Sequence, residues 1–287
     1  MEKRFTQFEN ICILNKTLKI AHDGFYLYEN ENKNLKLSFE EMHDAFVLLP
    51  DEIERIKKVK SKKVKKSKKK CNITVSTDDS FSAAIRMKEE VKSDVLVLNF
   101  ANPYYPGGGV RYGARAQEED LCRKSSLLLS LESENAESYY KYNLYHKNFA
   151  ASDAIIISPK VEVFKDKDHN FLSDSVILSV ITCPAPMLIN TPDNFNYYEY
   201  VDIFSERIRA ILLAAAKFNY RNLILGAFGC GAFRNDPKIV AQLFKAVIDD
   251  FRFEDKNADL CFDNIEFAIL SSKVSPSRNY TEFSKIF

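Results

Sequence analysis

The chain of 287 residues is 46% hydrophobic and 28% charged, enough apolar content for one large core, and no apolar run nears the roughly 18 residues of a membrane-spanning helix. A start of Met1-Glu2-Lys3-Arg4 followed by further charges leaves no apolar signal segment, so an intracellular chain with no membrane partner is expected. The net charge of +1 hides a division: Lys57 to Lys70 holds ten lysines and no acid, leaving 31 basic against 40 acidic residues elsewhere. That excludes a basic nucleic-acid-binding core while leaving one tether able to touch a polyanion.

In chain order, Phe5, Phe8, Ile11, Leu14 and Leu18 recur at helical spacing and predict an amphipathic helix that ends near Asp23-Gly24. A short extended segment and a helical stretch over 39–49 follow, and 57–70 lacks the apolar residues to pack. From residue 72 the pattern alternates. Strands are expected over 73–76, 95–98, 154–157, 161–164, 176–182, 222–225 and 265–270, and helices over 79–91, 117–131, 136–147, 201–218 and 236–250. This predicts an α/β fold, a three-layer α/β/α sandwich around a mixed sheet. Residues 1–56 are read as an N-terminal helical extension, 57–71 as a lysine-rich connector and 72–287 as the main domain.

Seven of the eight glycines fall in two loops, Gly107, Gly108, Gly109 and Gly113 in one and Gly226, Gly229 and Gly231 in the other. Each loop follows a short buried strand and precedes a helix, where open α/β sheets bind ligands and helix amides point at phosphate. A glycine pair alone is most simply a tight turn; a triplet with a matching second loop points to a diphosphate. The spacing Gly107-x-Gly109-x-x-x-Gly113 is one residue too long for a dinucleotide fingerprint, and no Gly-Lys-Ser/Thr closes a P-loop. Cys230 lacks the glycine spacing of a nucleophile elbow and a neighbouring histidine, so it reads as a small loop residue whose amide matters more than its thiol.

Gln117-Glu118-Glu119 opens the helix after the triplet. Acids at a helix start complement its dipole, and in isolation that is a sufficient reason for them. Placed after a ligand loop at a strand end, they face one crevice and can divide the work of holding a sugar hydroxyl and giving up a proton. Burial and a neighbouring acid raise a carboxyl pKa while a helix N-terminus lowers it, and the sequence leaves that balance open.

The run Leu98-Asn99-Phe100-Ala101-Asn102-Pro103-Tyr104-Tyr105-Pro106-Gly107-Gly108-Gly109, with Gln117-Glu118-Glu119 seven residues later, resembles the signature of the poly(ADP-ribose) glycohydrolases, closest to the bacterial or microbial type. The resemblance extends to 158–164, to 181–186 and to Leu225-Gly226-Ala227-Phe228-Gly229-Cys230-Gly231-Ala232-Phe233-Arg234-Asn235. It spans about residues 72–270, with a looser echo in the first helix and in Asp23-Gly24-Phe25-Tyr26. The lysine run has no counterpart in the family pattern.

That resemblance implies a macrodomain fold and cleavage of the ribose–ribose O-glycosidic bond of poly(ADP-ribose) to release ADP-ribose. It assigns Glu119 as catalytic acid and Glu118 as the acid on the ribose hydroxyls. It also places Asn102, Gly107, Gly108, Gly109, Gln117, Gly229, Cys230, Gly231, Ala232 and Phe233 at the substrate, with Phe233 against ribose or adenine. Two acids in one dipeptide cannot flank a glycosidic bond from opposite sides, so a single acid must serve in turn as acid and base, the cation being supported by the substrate's diphosphate. Six scattered cysteines and four isolated histidines supply no metal set, and neither metal nor cofactor is expected. Two other readings stand beside this one: a macrodomain that binds ADP-ribose without hydrolysis, against which the intact acid pair argues, and a hydrolase of single ADP-ribose units on protein or nucleic acid. The partners expected are poly(ADP-ribose) or ADP-ribosylated proteins, with the product ADP-ribose. The expected location is cytoplasmic, or nuclear if the Lys57–Lys70 run is a localisation signal.

Overall fold

The computed structural model describes residues 5–58, 70–191, 195–253, 256–257, 261–272 and 274–287. Helix α1 (Gln7–Asp23) starts at a reciprocal capping box between Thr6 and Glu9, which satisfies two amides that a helix start leaves open. A hairpin of β1 (Phe25–Tyr28) and β2 (Glu31–Asn34), strand β3 (Phe46–Leu48) and helix α2 (Pro50–Lys58) follow. Residues 1–56, expected as a helical extension, thus also hold a hairpin and a strand, and β3 pairs with the central sheet. Lys57 ends α2 in ion pairs with Glu54 and Glu206. Residues 59–69, most of the lysine run, lie outside the described residues.

The remaining strands are β4 (Asn72–Ser76), β5 (Leu96–Phe100), β6 (Ile155–Lys165), β7 (Phe171–Cys183), β8 (Asn222–Leu225), the two-residue pair β9 (Arg252–Phe253) and β10 (Lys256–Asn257), and β11 (Asn264–Ala268). Seven form one mixed sheet in the order β3-β6-β7-β5-β8-β11-β4. From β7 to β4 all neighbours are parallel, whereas β3 and β6 are antiparallel additions at one edge. The helices are α3 (Ser80–Val91), α4 (Gln117–Lys124), α5 (Leu127–Leu131), α6 (Glu137–Tyr145), α7 (Tyr197–Lys217), α8 (Pro237–Asp250) and α9 (Arg278–Ser284).

Alternation along the strands divides the core in two. Leu96 and Leu98 of β5 join side chains of α2, α7, α8 and α9, whereas Val97 joins those of α1, α3, α4, α5 and α6. Strands buried on both faces read as continuous apolar runs, which is why β5 and β8 were visible in the sequence. The three-layer α/β/α sandwich is the one expected, and it is macrodomain-like.

Three elements differ from expectation. The helical stretch expected over 39–49 is instead a single 3-10 turn, Glu41–His43, followed by strand β3, which pairs with β6. The predicted helix over 117–131 is broken at Ser125, which is extended; the Ser126 amide donates to Glu162 O and the Ser126 hydroxyl accepts from the Glu162 amide. Helical spacing of leucines persisted across the break and concealed it. The two strands expected over 154–157 and 161–164 are one strand, with a register shift between Ser158 and Val161. Pro159 has no amide for the ladder, so the sheet bulges there instead of ending.

Three parallel neighbours, β7, β5 and β8, present their C-terminal ends side by side, and Phe100 stands opposite Cys183. The loops that leave them, 101–116, the segment from 184, and 226–236, therefore share one edge of the sheet, the edge at which open α/β folds take ligands. Helix α1 braces the first of these loops: Asn10 Nδ2 donates to Gly113 O at 3.1 Å, and the Thr17 hydroxyl to Arg123 O at 2.6 Å. Lys165, buried beneath α1, donates to Ile13 O, Arg123 O and the Thr17 hydroxyl. Burial drives its pKa down to about 7, aided by the cations Lys16 and Arg123.

Candidate active site

Gln117 anchors the acid pair. Its Oε1 accepts from the Phe100 amide at 2.9 Å, and its Nε2 donates to Leu98 O at 2.8 Å and Ser80 Oγ at 3.1 Å. Expected among the substrate-binding residues, its side chain is instead committed within the fold, and it fixes the first turn of α4 against the end of β5.

The next two residues are buried carboxyls, Glu118 3% and Glu119 7% exposed. Glu118 Oε2 accepts from the Asn102 amide at 2.7 Å and Oε1 from Asn99 Nδ2 at 3.2 Å. Glu119 Oε1 accepts from the Gly109 amide at 2.9 Å. Its Oε2 is buried and, among the described residues, has no hydrogen-bond partner. Burial, with the neighbouring Glu119, pushes Glu118 up to about 8 against the opposing hydrogen bonds from Asn102 and Asn99. For Glu118, desolvation outweighs the hydrogen bonds that favour its charged form.

The triplet is shaped around these acids. Gly108 has φ +58°, and a Cβ there would lie 2.7 Å from Glu119 Oε1 and 3.0 Å from Glu118 Oε2. A side chain would occupy the place of the carboxylates, so glycine is required by both backbone and space. Asn102 holds the entry to this loop, its Oδ1 accepting from the amides of Tyr104 and Tyr105 at 2.8 and 3.0 Å, an Asx turn.

Across the edge, Gly229 to Phe233 form the second loop. Gly229 has φ +71°, and a Cβ on it would sit 2.5 Å from both Ala185 Cβ and Asn235 Nδ2. At Gly231 a Cβ would meet nothing within 4 Å. Ala232 is exposed and Phe233 half-buried, the latter's carbonyl accepting from the Leu188 amide at 3.0 Å. The Cys230 thiol is half-buried and pushed by burial up to about 12, where it is no nucleophile. Among the described residues no group of three or more His, Cys, Asp or Glu is arranged to hold a metal ion.

Sequence reasoning missed Asn99 and Thr182. Asn99 is fully buried near the end of β5, where its Nδ2 bridges Glu118 Oε1 and Thr182 Oγ1, both at 3.2 Å. The available signal was a polar residue one place before the end of each strand, Asn99 in the otherwise apolar β5 and Thr182 after the apolar Val180-Ile181 of β7; a buried polar group needs a reason.

The sequence profile of the microbial-type PARG catalytic domain matches residues 15–166, more than half of the chain. That match begins well before the residues that carried the resemblance and stops before the second glycine loop, which structural comparison covers. The poly(ADP-ribose) glycohydrolase of Thermomonospora curvata is 26% identical with a TM-score of 0.86, covering 98% of this chain and 100% of that one. The same enzyme bound to the inhibitor ADP-HPD superposes with a TM-score of 0.84, at the same identity and coverage. The poly(ADP-ribose) glycohydrolase of Deinococcus radiodurans in complex with ADP-ribose is 30% identical with a TM-score of 0.74, covering 86% of this chain and 95% of that one. No curated protein sequence matches. A buried acid pair at the ligand edge of this sheet, in a chain similar throughout to such structures, defines a glycohydrolase of macrodomain-like fold. More narrowly, the chain belongs to the microbial-type poly(ADP-ribose) glycohydrolase family.

Proposed function

We propose that the protein hydrolyses the ribose–ribose O-glycosidic bond of poly(ADP-ribose) and releases ADP-ribose, with Glu119 as general acid and then general base. The observation that carries this reading is the unequal commitment of the two acids. Both Glu118 oxygens already accept protein hydrogen bonds, whereas Glu119 Oε2 is buried and open. A proton donor needs a free oxygen at the leaving group.

Burial raises the Glu118 carboxyl to about 8, and in this reading Glu119 must itself enter the step in its acid form. As the bond from C1″ to the leaving ribose 2′-oxygen breaks, Glu119 passes a proton to that oxygen. The ring oxygen shares the charge left on C1″, and the diphosphate, lodged between the glycine loops, supports it. Water then adds to C1″ and returns its proton to Glu119. Glu118 holds the ribose hydroxyls, Gly107 to Gly109 and Gly229 to Ala232 line the diphosphate, and Phe233 packs on ribose or adenine.

A second reading has Glu118 itself supply the proton, which its raised pKa favours. The two single Glu→Gln variants distinguish them, since only the donor's loss removes the proton-transfer step. The overall proposal is tested by product analysis with purified polymer and with mono-ADP-ribosylated protein. Free ADP-ribose released from polymer is expected. Binding without release identifies a reader, and release only from mono-modified protein identifies the other hydrolase.

A further inference from the structure

The second glycine loop is tied to the segment after β7 by a buried network that the acid chemistry does not use. Asn235, 2% exposed, has every side-chain group engaged: Nδ2 donates to Pro186 O at 2.8 Å and Gly229 O at 2.9 Å, and Oδ1 accepts from the Tyr200 hydroxyl at 2.9 Å. Tyr200 is 1% exposed on α7. Its helix also carries the buried Arg207, which donates to Ala150 O at 2.9 Å and to Pro184 O. The chain from Pro184 to Pro186 is thus held at both ends, and between them Ala185 lies against Gly229. The Leu188 amide continues the tie to Phe233 O.

We infer that Asn235, set by Tyr200, is a positioning residue for substrate affinity: it fixes the Gly229–Phe233 loop in its binding shape from below, touching no reacting group. The inference rests on the reading that this loop binds ADP-ribose. Among the described residues the Pro186 carbonyl has the Asn235 side chain as its donor, whereas the Gly229 carbonyl also accepts from the Asn235 backbone amide at 3.1 Å. Losing the side chain leaves the Pro186 acceptor unpaired, removes one of two bonds at Gly229 and unties the two segments, so the loop relaxes. The acid pair stands in the first turn of α4 beside the other loop, held by Gln117 and Asn99, and is not disturbed.

The test uses the full chain with three variants, read by calorimetric ADP-ribose affinity and by steady-state kinetics on polymer. Tyr200→Phe removes one hydroxyl and is expected to weaken ADP-ribose about two- to five-fold. Asn235→Ala is expected to weaken it roughly ten-fold or more, with KM raised alike and kcat within about two-fold. Gly231→Asp probes the underlying reading, since its side chain enters open space and repels only a bound anion. If Gly231→Asp leaves affinity unchanged, the loop is not the ligand's and the reading falls. If Gly231→Asp weakens binding while folded Tyr200→Phe and Asn235→Ala bind as the parent does, or lose kcat with KM unchanged, the positioning role is overturned. Should Asn235→Ala not fold, Tyr200→Phe decides alone, because deleting one hydroxyl keeps the ring and its packing.

Discussion

The two glycine loops emerge from adjacent parallel strands and look alike in sequence, but they are built in opposite ways. The loop after β5 is wrapped around the side chains it serves: Gly108 leaves room for two carboxylates, and the Gly109 amide and Asn102 amide hold them. The loop after β8 closes instead around a neutral amide, that of its own Asn235. It is held from beneath by Asn235 and Ala185, and its middle at Gly231 is open. On the proposed reading, the first loop is a mould for a reagent and the second a mould for a ligand. Damage to the first should therefore appear in kcat, and damage to the second in affinity.

The largest break in that comparison comes from Glu119→Gln. It keeps shape and hydrogen bonding but removes the dissociable proton, and kcat on polymer is expected to fall by roughly 10²–10⁴ with ADP-ribose affinity within a few-fold. Near-normal turnover in this variant would take the acid role from Glu119. Gly108→Ala should follow, with a fall in kcat on the order of 10². Its methyl displaces both carboxylates and strains a left-handed backbone, and small misplacements of catalytic groups are costly. Rapid turnover by a folded Gly108→Ala protein would show that the mould is looser than its geometry.

Glu118 sharpens the comparison through pH. Burial raises its pKa from the ordinary 4.5 of a free glutamate to about 8, so the folded protein binds a proton that the unfolded chain has lost across that range. The resulting stability is fully present below about 4.5 and is lost as pH rises to about 8, amounting on the order of a few kcal/mol. Glu118→Gln carries no such dependence. Its melting temperature relative to the parent should therefore climb between pH 5 and 8, even as its turnover falls. Taking the difference between the two proteins cancels the opposite trend of Lys165, whose depressed pKa adds stability as pH rises above about 7. A pH-independent difference in melting temperature would show that Glu118 is ionised in the folded protein. In the parent, kcat/KM should decline as pH passes about 8, where Glu118 gains a charge beside the ribose hydroxyls and the reacting Glu119.

How far the sequence reached follows the same division. Elements with a strong period were legible: β4, β5, β8, α3 and α8 lie within a few residues of expectation because buried strands and capped amphipathic helices write themselves in apolar spacing. The first loop stood out as candidate chemistry, since the chain has only eight glycines and a triplet of them precedes an acid pair at a helix start. What holds each site together was not. Asn99 and Thr182 contact through a pairing of strands 83 residues apart, and Asn235 meets Pro186 across 49. No local pattern records such meetings, and single polar residues in loops are common. Gln117 illustrates the converse: its place beside the acids marked it for the ligand, yet contacts with Leu98, Phe100 and Ser80 across the fold engage its amide.

The smallest expected effects lie in the second loop, and they test its openness. Phe233 is half-buried, with its carbonyl tied to Leu188, so Phe233→Ala leaves the backbone tie in place and removes only the ring. If the ring packs on the ligand, affinity for ADP-ribose should fall by about 1–3 kcal/mol, with kcat at saturation close to the parent. Gly231→Ala should do less still. Its φ lies outside the left-handed region and its Cβ would meet no atom within 4 Å, so neither strain nor clash opposes the methyl, and calorimetry should find stability and affinity within a few tenths of a kcal/mol of the parent. The same substitution at Gly108, where a Cβ would lie 2.7 Å from a carboxylate oxygen, is expected to slow turnover a hundred-fold. A Gly231→Ala protein that loses affinity while keeping its stability would show that the ligand fills the space above this residue, so that the second loop, like the first, is shaped in contact with what it holds.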